Sequence, residues 1–343
     1  MVNRTIGSVL VVLTACHNSN STPSTAASDA SAVDAAPSCA PPHMSPKCHD
    51  GYCLVPAGCF VKGSAPTDPY RGVYTEDQRA VTLTHAFVMG IGEVTQAAWT
   101  SAGYPNLAGT KNDGAGGTDC VAPDCPASTM TVFEAIAYAN KQSDAKSLPH
   151  CIELDACTGS VGVDFQCTGY HQTTASYYDC TGFRLPTQIE FEYALRAGTT
   201  TAFYSGPFEP LPPIAGQYID IPHLDGTAWY CTNSDKKTHP VLQKTPNPWG
   251  FFDMMGNAAE FVASDPIIFD QGFSPETDPD SVLNDAGVFG YAGGTFYAWP
   301  TLLRSADIPE TVFMFGGNQR QQAGAALGFR LVRSLNATDA AKW

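Results

Sequence analysis

The sequence predicts an α+β domain with little regular secondary structure, held together by disulfide bonds. Helical spacing of apolar residues occurs in only a few places, all before residue 199. After residue 199, aromatic residues, glycine and proline dominate, which favours short strands joined by long loops. The chain also carries 12 cysteines. Together these observations indicate a fold in which cross-links and turns matter as much as helices and strands.

The N-terminal region has the pattern of an export signal. An apolar run at residues 6–15 follows Arg4 and is too short to span a bilayer. It ends in Leu13-Thr14-Ala15-Cys16, which resembles the bacterial lipobox, whose cysteine is lipidated and becomes the mature N-terminus. An ordinary secretory signal with a chance cysteine is the alternative. We predict a signal at 1–16 and a lipid on Cys16 as the only membrane attachment, in the bacterial envelope and facing the periplasm or the outside.

The remainder of the chain divides into a tether and one domain. Residues 17–38 consist of Ser, Thr, Ala, Asn, Asp and Pro with almost nothing to bury, so we expect a flexible tether. No second linker interrupts residues 39–335, which we interpret as a single domain. The net charge of −15 argues against binding to a phosphate backbone, so no nucleic acid is expected as a partner.

The cysteines after Cys16 predict a disulfide framework, because export leads to an oxidising compartment. No CxxC pair occurs, and no pair of histidines accompanies the cysteines at zinc-site intervals. Short loops close easily, so local pairing is the simplest expectation. The expected bonds join Cys120 to Cys125, Cys151 to Cys157 and Cys167 to Cys180. The four cysteines between residues 39 and 59 would staple the entrance to the domain, and Cys231 would remain a thiol.

Alternation and helical spacing place the elements of the first half. Strands are expected within 53–64 and 80–91, and a helix is expected from Thr95. The Gly-, Asn- and Pro-rich residues 100–127 are expected to form a loop. Apolar residues at helical spacing predict a further helix over 131–143.

The segment 146–198 predicts two stapled hairpins followed by a capped helix. Residues 146–183 are rich in Gly and Cys, which favours the hairpins. Pro186 ends the next strand, Thr187 is a good N-cap, and Glu190 completes a capping box. Gly198 is expected to close the helix.

Seven segments occur in the order typical of one family: VPAGCFVKGS, HAFVMGIGEVTQAAW, TVFEAIAYAN, FRLPTQIEFEYALRAGT, NPWGFFDMMGNAAEF, YAGGTF and LGFRLVR. They resemble the sulfatase-modifying-factor family, whose founding members are the formylglycine-generating enzymes. The resemblance runs from about residue 53 to 334. It implies a large α+β domain related to C-type lectins, with little regular structure and with bound calcium.

The resemblance assigns a calcium site to the apolar stretch GFFDMMGNAAEF. By analogy with the family, the ligands are the side chains of Asp253 and Glu260 and the backbone carbonyls of Met254, Gly256 and Ala258. Calcium prefers hard oxygen ligands from flexible loops, and two carboxylates would offset its charge. From spacing alone, Asp253 could instead cap a helix while Glu260 faces solvent. A catalytic carboxylate pair is disfavoured because nothing nearby supplies a nucleophile.

This stretch departs from the family pattern in two places. Ala259 and Phe261 stand where the family has tryptophans, so the packing around the ligands is expected to differ. The family often has a second calcium site in the region of 215–240, where Asn233 and Asp235 are candidate ligands. The match there is too loose to assign a site.

The family's copper-binding cysteines are absent. In formylglycine-generating enzymes two thiolates follow a GG[ST][FW] element, and soft copper(I) binds between such ligands. Here the element is Gly293–Phe296, and Ala298 occupies the first cysteine's place. Residues 299–303 supply no cysteine, and Asp307 stands where the family usually has an arginine. We therefore expect no copper and no formylglycine chemistry.

The sequence supports two hypotheses for function. The first is a tethered, calcium-stabilised domain that acts without catalysis in recognition or assembly, with an envelope protein or a glycan as its unidentified partner. The alternative is an oxidase, either of the formylglycine-generating type or with altered chemistry. The histidines are scattered and give no two-His-one-carboxylate spacing, which argues against an iron site.

Overall fold

The structure is a computed structural model, and it describes residues 39–71, 76–109, 119–208, 221–263, 275–279, 289–307 and 327–343. The signal, the tether and the lipidation candidate Cys16 lie outside these residues, so they stay predictions. Within the described ranges no helix is both long enough and apolar enough to cross a membrane.

Most of the regular structure consists of short strands. The α-helices are α1 (Gln96–Ser101), α2 (Val132–Ala145), α3 (Gln188–Arg196), α4 (Pro222–Asp225) and α5 (Ala337–Ala340). The strands of the first half are β1 (Cys48–His49), β2 (Tyr52–Val55), β3 (Gly58–Lys62), β4 (Arg79–Leu83), β5 (Phe87–Gly90), β6 (Ile152–Asp155), β7 (Thr158–Ser160), β8 (Val163–Gln166) and β9 (Gly169–Gln172). The strands of the second half are β10 (Ala259–Val262), β11 (Glu276–Thr277), β12 (Gly290–Ala292), β13 (Leu327–Gly328) and β14 (Val332–Ser334).

The strands form small sheets that join distant parts of the chain. One sheet has the order β1-β2-β5-β14, a second β12-β10-β13, and a third β11-β4-β3. The pairs β6-β9 and β7-β8 form two further ribbons. Strand β10 is central in its sheet, because it pairs antiparallel with β12 and parallel with β13. This topology places three of the family-like segments side by side.

The three predicted helices are confirmed, and so is the capping box predicted for the start of the third. Thr95 caps α1, and Thr131 caps α2 with a reciprocal bond from Glu134. Helix α3 begins with the expected capping box of Thr187 and Glu190, and its chain reversal falls on Ala197, whose φ is 45°, followed by Gly198. The two expected strand regions each split into two strands, β2 with β3 and β4 with β5.

Glu190 does more than cap its helix. Its two carboxylate oxygens accept bonds from Arg184 Nη1 and Nη2, both at 2.7 Å, and both side chains are buried. Arg184 Nη2 also donates to Ser334 Oγ at 2.9 Å. A buried ion pair of this kind is stable only when its remaining hydrogen-bonding atoms are satisfied, and here it links the start of α3 to β14.

Five disulfides join ten of the described cysteines. The bond Cys120–Cys125 is confirmed, and the entrance cysteines pair as Cys39–Cys59 and Cys48–Cys53. Cys231 remains a thiol, as predicted.

The other two predicted pairings are wrong. The structure has Cys151–Cys180 and Cys157–Cys167 instead. The physical reason is that β6 to β9 form nested hairpins, with β7-β8 inside β6-β9. The inner bond therefore closes the inner hairpin, and the outer bond closes the outer one. Nearness along the sequence is a poor guide when antiparallel strands bring distant residues opposite each other.

Candidate functional site

The stretch 250–260 forms a buried turn that leads into strand β10. No helix begins at Asp253, so the expectation of a helix cap there is wrong. Asp253 and Asn257 have positive φ angles of 53° and 57°, and Gly256 has a φ of 76°. A side chain at Gly256 would collide with the Trp229 backbone. Glycine is therefore required at this position, because the turn approaches the backbone of Trp229 closely.

The structure brings Asp253 and Glu260 into the same buried region. Their residues are 2% and 0% exposed. Asp253 Oδ2 accepts from the Leu242 backbone N–H at 2.7 Å, whereas its buried Oδ1 has no hydrogen-bond partner. Burial raises the pKa of Asp253 above its ordinary value, because the charged form loses its hydration.

Glu260 forms an ion pair that the sequence reasoning missed. Arg330 donates to it from Nε at 2.7 Å and from Nη2 at 2.6 Å, and neither side chain reaches solvent. The same guanidinium donates to the carbonyls of Gly90 at 3.2 Å and Phe252 at 2.9 Å. Strand β13 pairs with β10 just before Arg330, so the parallel pairing positions the arginine beside the glutamate. The signal in the sequence was Arg330, one of two arginines in the otherwise apolar segment LGFRLVR.

Glu93 is a third buried acid at this place, also missed from the sequence. Its Oε1 accepts from the Ala258 N–H at 3.0 Å, and its Oε2 accepts from Asn257 Nδ2 at 3.1 Å. Burial first, and then the charges of Asp253 and Glu260, raise the pKa of Glu93 well above its ordinary value. Glu93 thus anchors the turn through two hydrogen bonds, and its burial favours the protonated form of the carboxyl group.

The donor set fits a divalent cation. Three buried carboxylates, of Glu93, Asp253 and Glu260, surround one buried guanidinium of Arg330, so the fully ionised group carries a net charge of −2. Asp253 Oδ1 lacks a partner. Within the described residues no hydrogen bond reaches the carbonyls of Met254 and Gly256. Glu260 retains acceptor capacity besides its bonds to Arg330, because an ionised carboxylate has about four lone-pair sites.

The side chains alone do not form a metal cluster. Among the described residues, no group of three or more His, Cys, Asp or Glu side chains has a metal-holding arrangement. A site here would therefore depend on backbone carbonyls, as the resemblance implies, and calcium at this turn stays a prediction.

The structure gives Asn233 and Asp235 other roles. Asn233 closes a local turn, since its Oδ1 accepts from the Tyr230 N–H at 2.9 Å and its Nδ2 donates to the Ala228 carbonyl at 3.0 Å. Asp235 is exposed. Asn233 is thus engaged in hydrogen bonds, whereas Asp235 is open to solvent. Neither supports the loose match to a second calcium site.

The Gly293–Asp307 loop is packed directly against the turn. The Gly256 N–H donates to the Gly293 carbonyl at 2.8 Å, and the Phe296 N–H donates to the Asn257 carbonyl at 2.7 Å. Ala298, at the place of the family's first copper ligand, is buried among apolar side chains. The Cys231 N–H donates to the Ala298 carbonyl at 3.2 Å. A distant cysteine therefore lies beside this loop, which the sequence alone did not indicate.

An arginine anchors the end of this loop. Arg304 donates to both oxygens of Glu76, at 2.6 and 2.8 Å, and contacts Asp68 and Asp307 at 3.4 and 3.3 Å. Arg304 and Glu76 are buried. Asp307, which replaces the family's arginine, thus joins an acidic cluster that fixes the loop in place.

Comparisons with known proteins agree with this architecture. Residues 40–335 match the sulfatase-modifying factor enzyme 1-like domain, described as the FGE-sulfatase family. The solved structure of Treponema denticola variable protein 1 is similar with a TM-score of 0.61 and 22% identity, over 83% of this chain and 95% of that one. The structure of PvdO from Pseudomonas aeruginosa is similar with a TM-score of 0.57 and 21% identity, over 83% and 94%.

One curated relative is similar in sequence. The chaperone protein LppX of Paenibacillus barcinonensis is 28% identical over 200 residues, which are 53% of this chain and 62% of that protein. The chain thus spans less than two thirds of this relative. The domain match covers most of the chain and the solved structures share its fold, so the chain belongs to the sulfatase-modifying factor enzyme 1-like domain family.

Proposed function

We propose that this chain is a lipid-anchored envelope protein whose domain recognises an exported partner without carrying out formylglycine chemistry. The observation that carries the proposal is the Gly293–Asp307 loop. Apolar packing fills the place of the family's copper ligands at Ala298, and no cysteine follows Cys231 in the sequence. Copper(I) prefers soft thiolate ligands, and this loop supplies none.

The disulfides and the curated relative favour a protein partner. Five disulfides are typical of a domain that folds in an oxidising compartment. The relative LppX is a chaperone protein by name, which favours a role in holding or assembling another exported protein over the binding of a glycan. A glycan ligand remains the other outcome of a binding test.

Calcium is proposed as a structural ion of this domain. Asp253, Glu260 and the carbonyls of Met254, Gly256 and Ala258 would hold it, with Glu93 and Arg330 fixing the turn. The unpartnered Oδ1 of Asp253 and the burial of three acids beside one buried arginine support this assignment. The ion would offset charge that burial otherwise makes costly, and it would take no part in a reaction.

An oxidase is the alternative function, and a peptide assay separates it from recognition. The full chain is incubated with copper, a reductant and a peptide of the CxPxR type, and the peptide is weighed by mass spectrometry. We expect no aldehyde above a control without protein. A loss of about 18 mass units at a rate above that control would overturn the proposal, because two thiolates are the soft ligands on which the copper site depends.

Recognition itself is tested by cross-linking in the envelope. A photoreactive amino acid is placed at exposed positions of the full chain, and adducts are identified by mass spectrometry. We expect a reproducible adduct with an exported protein that depends on the position of the probe. The absence of any position-dependent adduct would contradict a recognition role.

The lipid anchor has its own test. Labelled palmitate should enter the wild-type chain and not the Cys16→Ala variant. Equal labelling of both chains would show that Cys16 is not the modified residue. In the wild type we expect the chain to fractionate with membranes, and in the variant we expect it in the soluble fraction.

A further inference from the structure

The stapled arm, residues 151–180, is a disulfide-closed ribbon whose strands belong to none of the three larger sheets, although its base packs on the core. It contains β6 to β9, which pair only with each other in the described part of the chain. Cys151–Cys180 closes its base, and Cys157–Cys167 closes the inner hairpin. Neither the calcium proposal nor the Gly293–Asp307 loop uses any residue of this arm.

The arm is held rigidly against the domain. Asn140 Nδ2 of α2 donates to the Ile152 carbonyl at 2.9 Å, which fixes the base. The Gly162 N–H at the tip donates to Glu134 Oε1 at 2.7 Å. The two disulfides and the two hydrogen bonds hold the arm in place before any partner binds. Less conformational entropy is therefore lost on binding.

The middle of the arm is exposed, and its inner strands β7 and β8 have no second neighbouring strand among the residues that the structure describes. Residues 156–160 are exposed without a break, and they include all of β7. Val163 at the start of β8 is 60% exposed, one of two large hydrophobic residues that reach this level of exposure in the described chain. Edge strands are commonly protected by lysine or proline, and the arm has neither residue between Cys151 and Cys180.

The acidic side chains of the arm favour a positively charged partner. Residues 147–183 contain Glu153, Asp155, Asp164 and Asp179 but no lysine or arginine. Three of these acids contact histidines, because His150 Nδ1 lies 2.9 Å from Glu153, His171 Nδ1 lies 3.0 Å from Asp155, and His85 Nε2 lies 3.3 Å from Asp179. A second copy of the arm would bring like charges together, which is unfavourable at the short distance of strand pairing.

We propose that the stapled arm binds an extended, lysine- or arginine-rich segment of an exported protein, which adds a strand beside β7. Backbone hydrogen bonds at the edge would supply affinity, as in other cases of strand addition. Val163 would supply an apolar contact, and the carboxylates would select basic side chains. This inference rests on the proposed recognition function and names the surface and the partner chemistry for it.

The test uses the full chain, purified with its disulfides, and a fluorescein-labelled peptide of alternating lysine and valine. Fluorescence anisotropy measures binding. We expect saturable binding that weakens as salt is raised, because screening reduces the attraction between charges. A peptide of alternating lysine and proline has the same charge but lacks half of the backbone donors, so we expect it to bind at least tenfold more weakly.

Matched variants separate the arm from the charge of the whole chain. The double variant Thr158→Lys and Val163→Lys places two positive charges on the exposed part of the arm. The control variant Gln243→Lys and Thr245→Lys adds the same charge at two exposed positions elsewhere. We expect the arm variant to bind the lysine-valine peptide at least tenfold more weakly and the control to stay within twofold of wild type.

Each alternative outcome decides against the inference. Equal weakening by both variants, or equal binding of the lysine-proline peptide, would show attraction by net charge without strand pairing. Dimers in sedimentation that the arm variant abolishes would show that a second copy is the occupant.

Cross-linking in the envelope distinguishes a failure of the arm from a failure of recognition. If the arm variant retains the adduct of the wild-type chain, the arm is not the binding surface although recognition stands. If the wild-type chain gives no position-dependent adduct, the recognition function fails as well.

Discussion

The turn at 250–260 and the Gly293–Asp307 loop lie in contact, yet they have diverged from the family pattern in opposite ways. The turn keeps every side chain that the resemblance assigns to calcium, and its acids are buried. The loop has lost both thiolate ligands, and Ala298 packs into the apolar core in their place. The Gly256 N–H and the Gly293 carbonyl join the two regions directly.

This difference indicates which chemistry the fold depends on. Loss of the thiolates removes a reaction centre and leaves a gap that apolar packing can fill. The turn differs, because Arg330 and Glu260 form a buried ion pair there, and removing one partner of such a pair leaves the other charge uncompensated. We therefore expect substitutions at this ion pair to destabilise the domain more than substitutions in the loop.

The largest loss of folding stability is expected when Arg330 is replaced by methionine. The variant leaves Glu260 buried without its partner, beside Glu93 and Asp253. Breaking a buried ion pair from one side typically costs about 3–5 kcal/mol, and denaturant unfolding measures the loss. Arg333→Met is the matched control three residues on, since Arg333 is partly exposed and contacts Asp339 and the Thr181 carbonyl at 3.3 and 3.4 Å.

We expect the control to lose about 1 kcal/mol or less, as is usual for pairs near the surface. Equal losses in the two variants would show that Arg330 does not balance buried charge. If Arg330→Met does not fold at all, the conservative variant Arg330→Lys keeps the charge without the bidentate geometry, and it should fold with intermediate stability.

An arginine-to-methionine substitution in the Gly293–Asp307 loop allows the stability of the loop to be compared with that of the turn. Arg304→Met removes the partner of Glu76 and leaves Asp68 and Asp307 nearby. We expect a loss near the lower end of the same range, about 3 kcal/mol, because Asp68 and Asp307 retain some exposure to water. A larger loss than that of Arg330→Met would reverse the order that we assign to the two regions.

Calcium should stabilise the domain through the turn. Binding to the folded state alone raises the free energy of unfolding by about 2.7 kcal/mol at a hundredfold excess over the dissociation constant. The melting temperature of the chelated chain is measured with and without calcium. An unchanged melting curve would contradict the calcium proposal.

Two aspartates provide a matched pair for this measurement. Asp253 and Asp164 have the same φ of 53°, but Asp253 is buried whereas Asp164 is exposed. Asparagine tolerates this conformation in both places. Asp253→Asn should reduce the calcium-induced shift in melting temperature, whereas Asp164→Asn should leave it unchanged.

The smallest effect on folding stability is expected for a substitution in the Gly293–Asp307 loop that adds a thiol. Ala298→Cys places a second thiol near Cys231, whose N–H donates to the Ala298 carbonyl at 3.2 Å. We expect the reduced variant to bind copper(I) at least tenfold more tightly than wild type, because two soft donors can share the ion. Ala306→Cys is the control, also buried in this loop. Equal gains in copper(I) affinity in both variants would show that the position of the added thiol next to Cys231 does not matter.

The sequence by itself determined α1, α2 and α3 and the capping box of α3, because these depend on local contacts. Thr187 and Glu190 lie three residues apart, and the bonds that form the capping box join only those two residues. The turn at 250–260 was different, because the spacing of its acids also allowed a helix start at Asp253, and only the family resemblance assigned the turn to calcium. The family, and therefore the fold, followed from the order of such segments.

Only the tertiary structure decided which distant residues meet. Arg330 lies seventy positions from Glu260 and reaches it because β13 pairs with β10. Cys151 pairs with Cys180 because two hairpins are nested, although Cys157 is nearer along the chain. Cys231 lies beside Ala298 for the same kind of reason. Strand pairing joins segments of any separation, so the pattern within one segment carries no information about its partner.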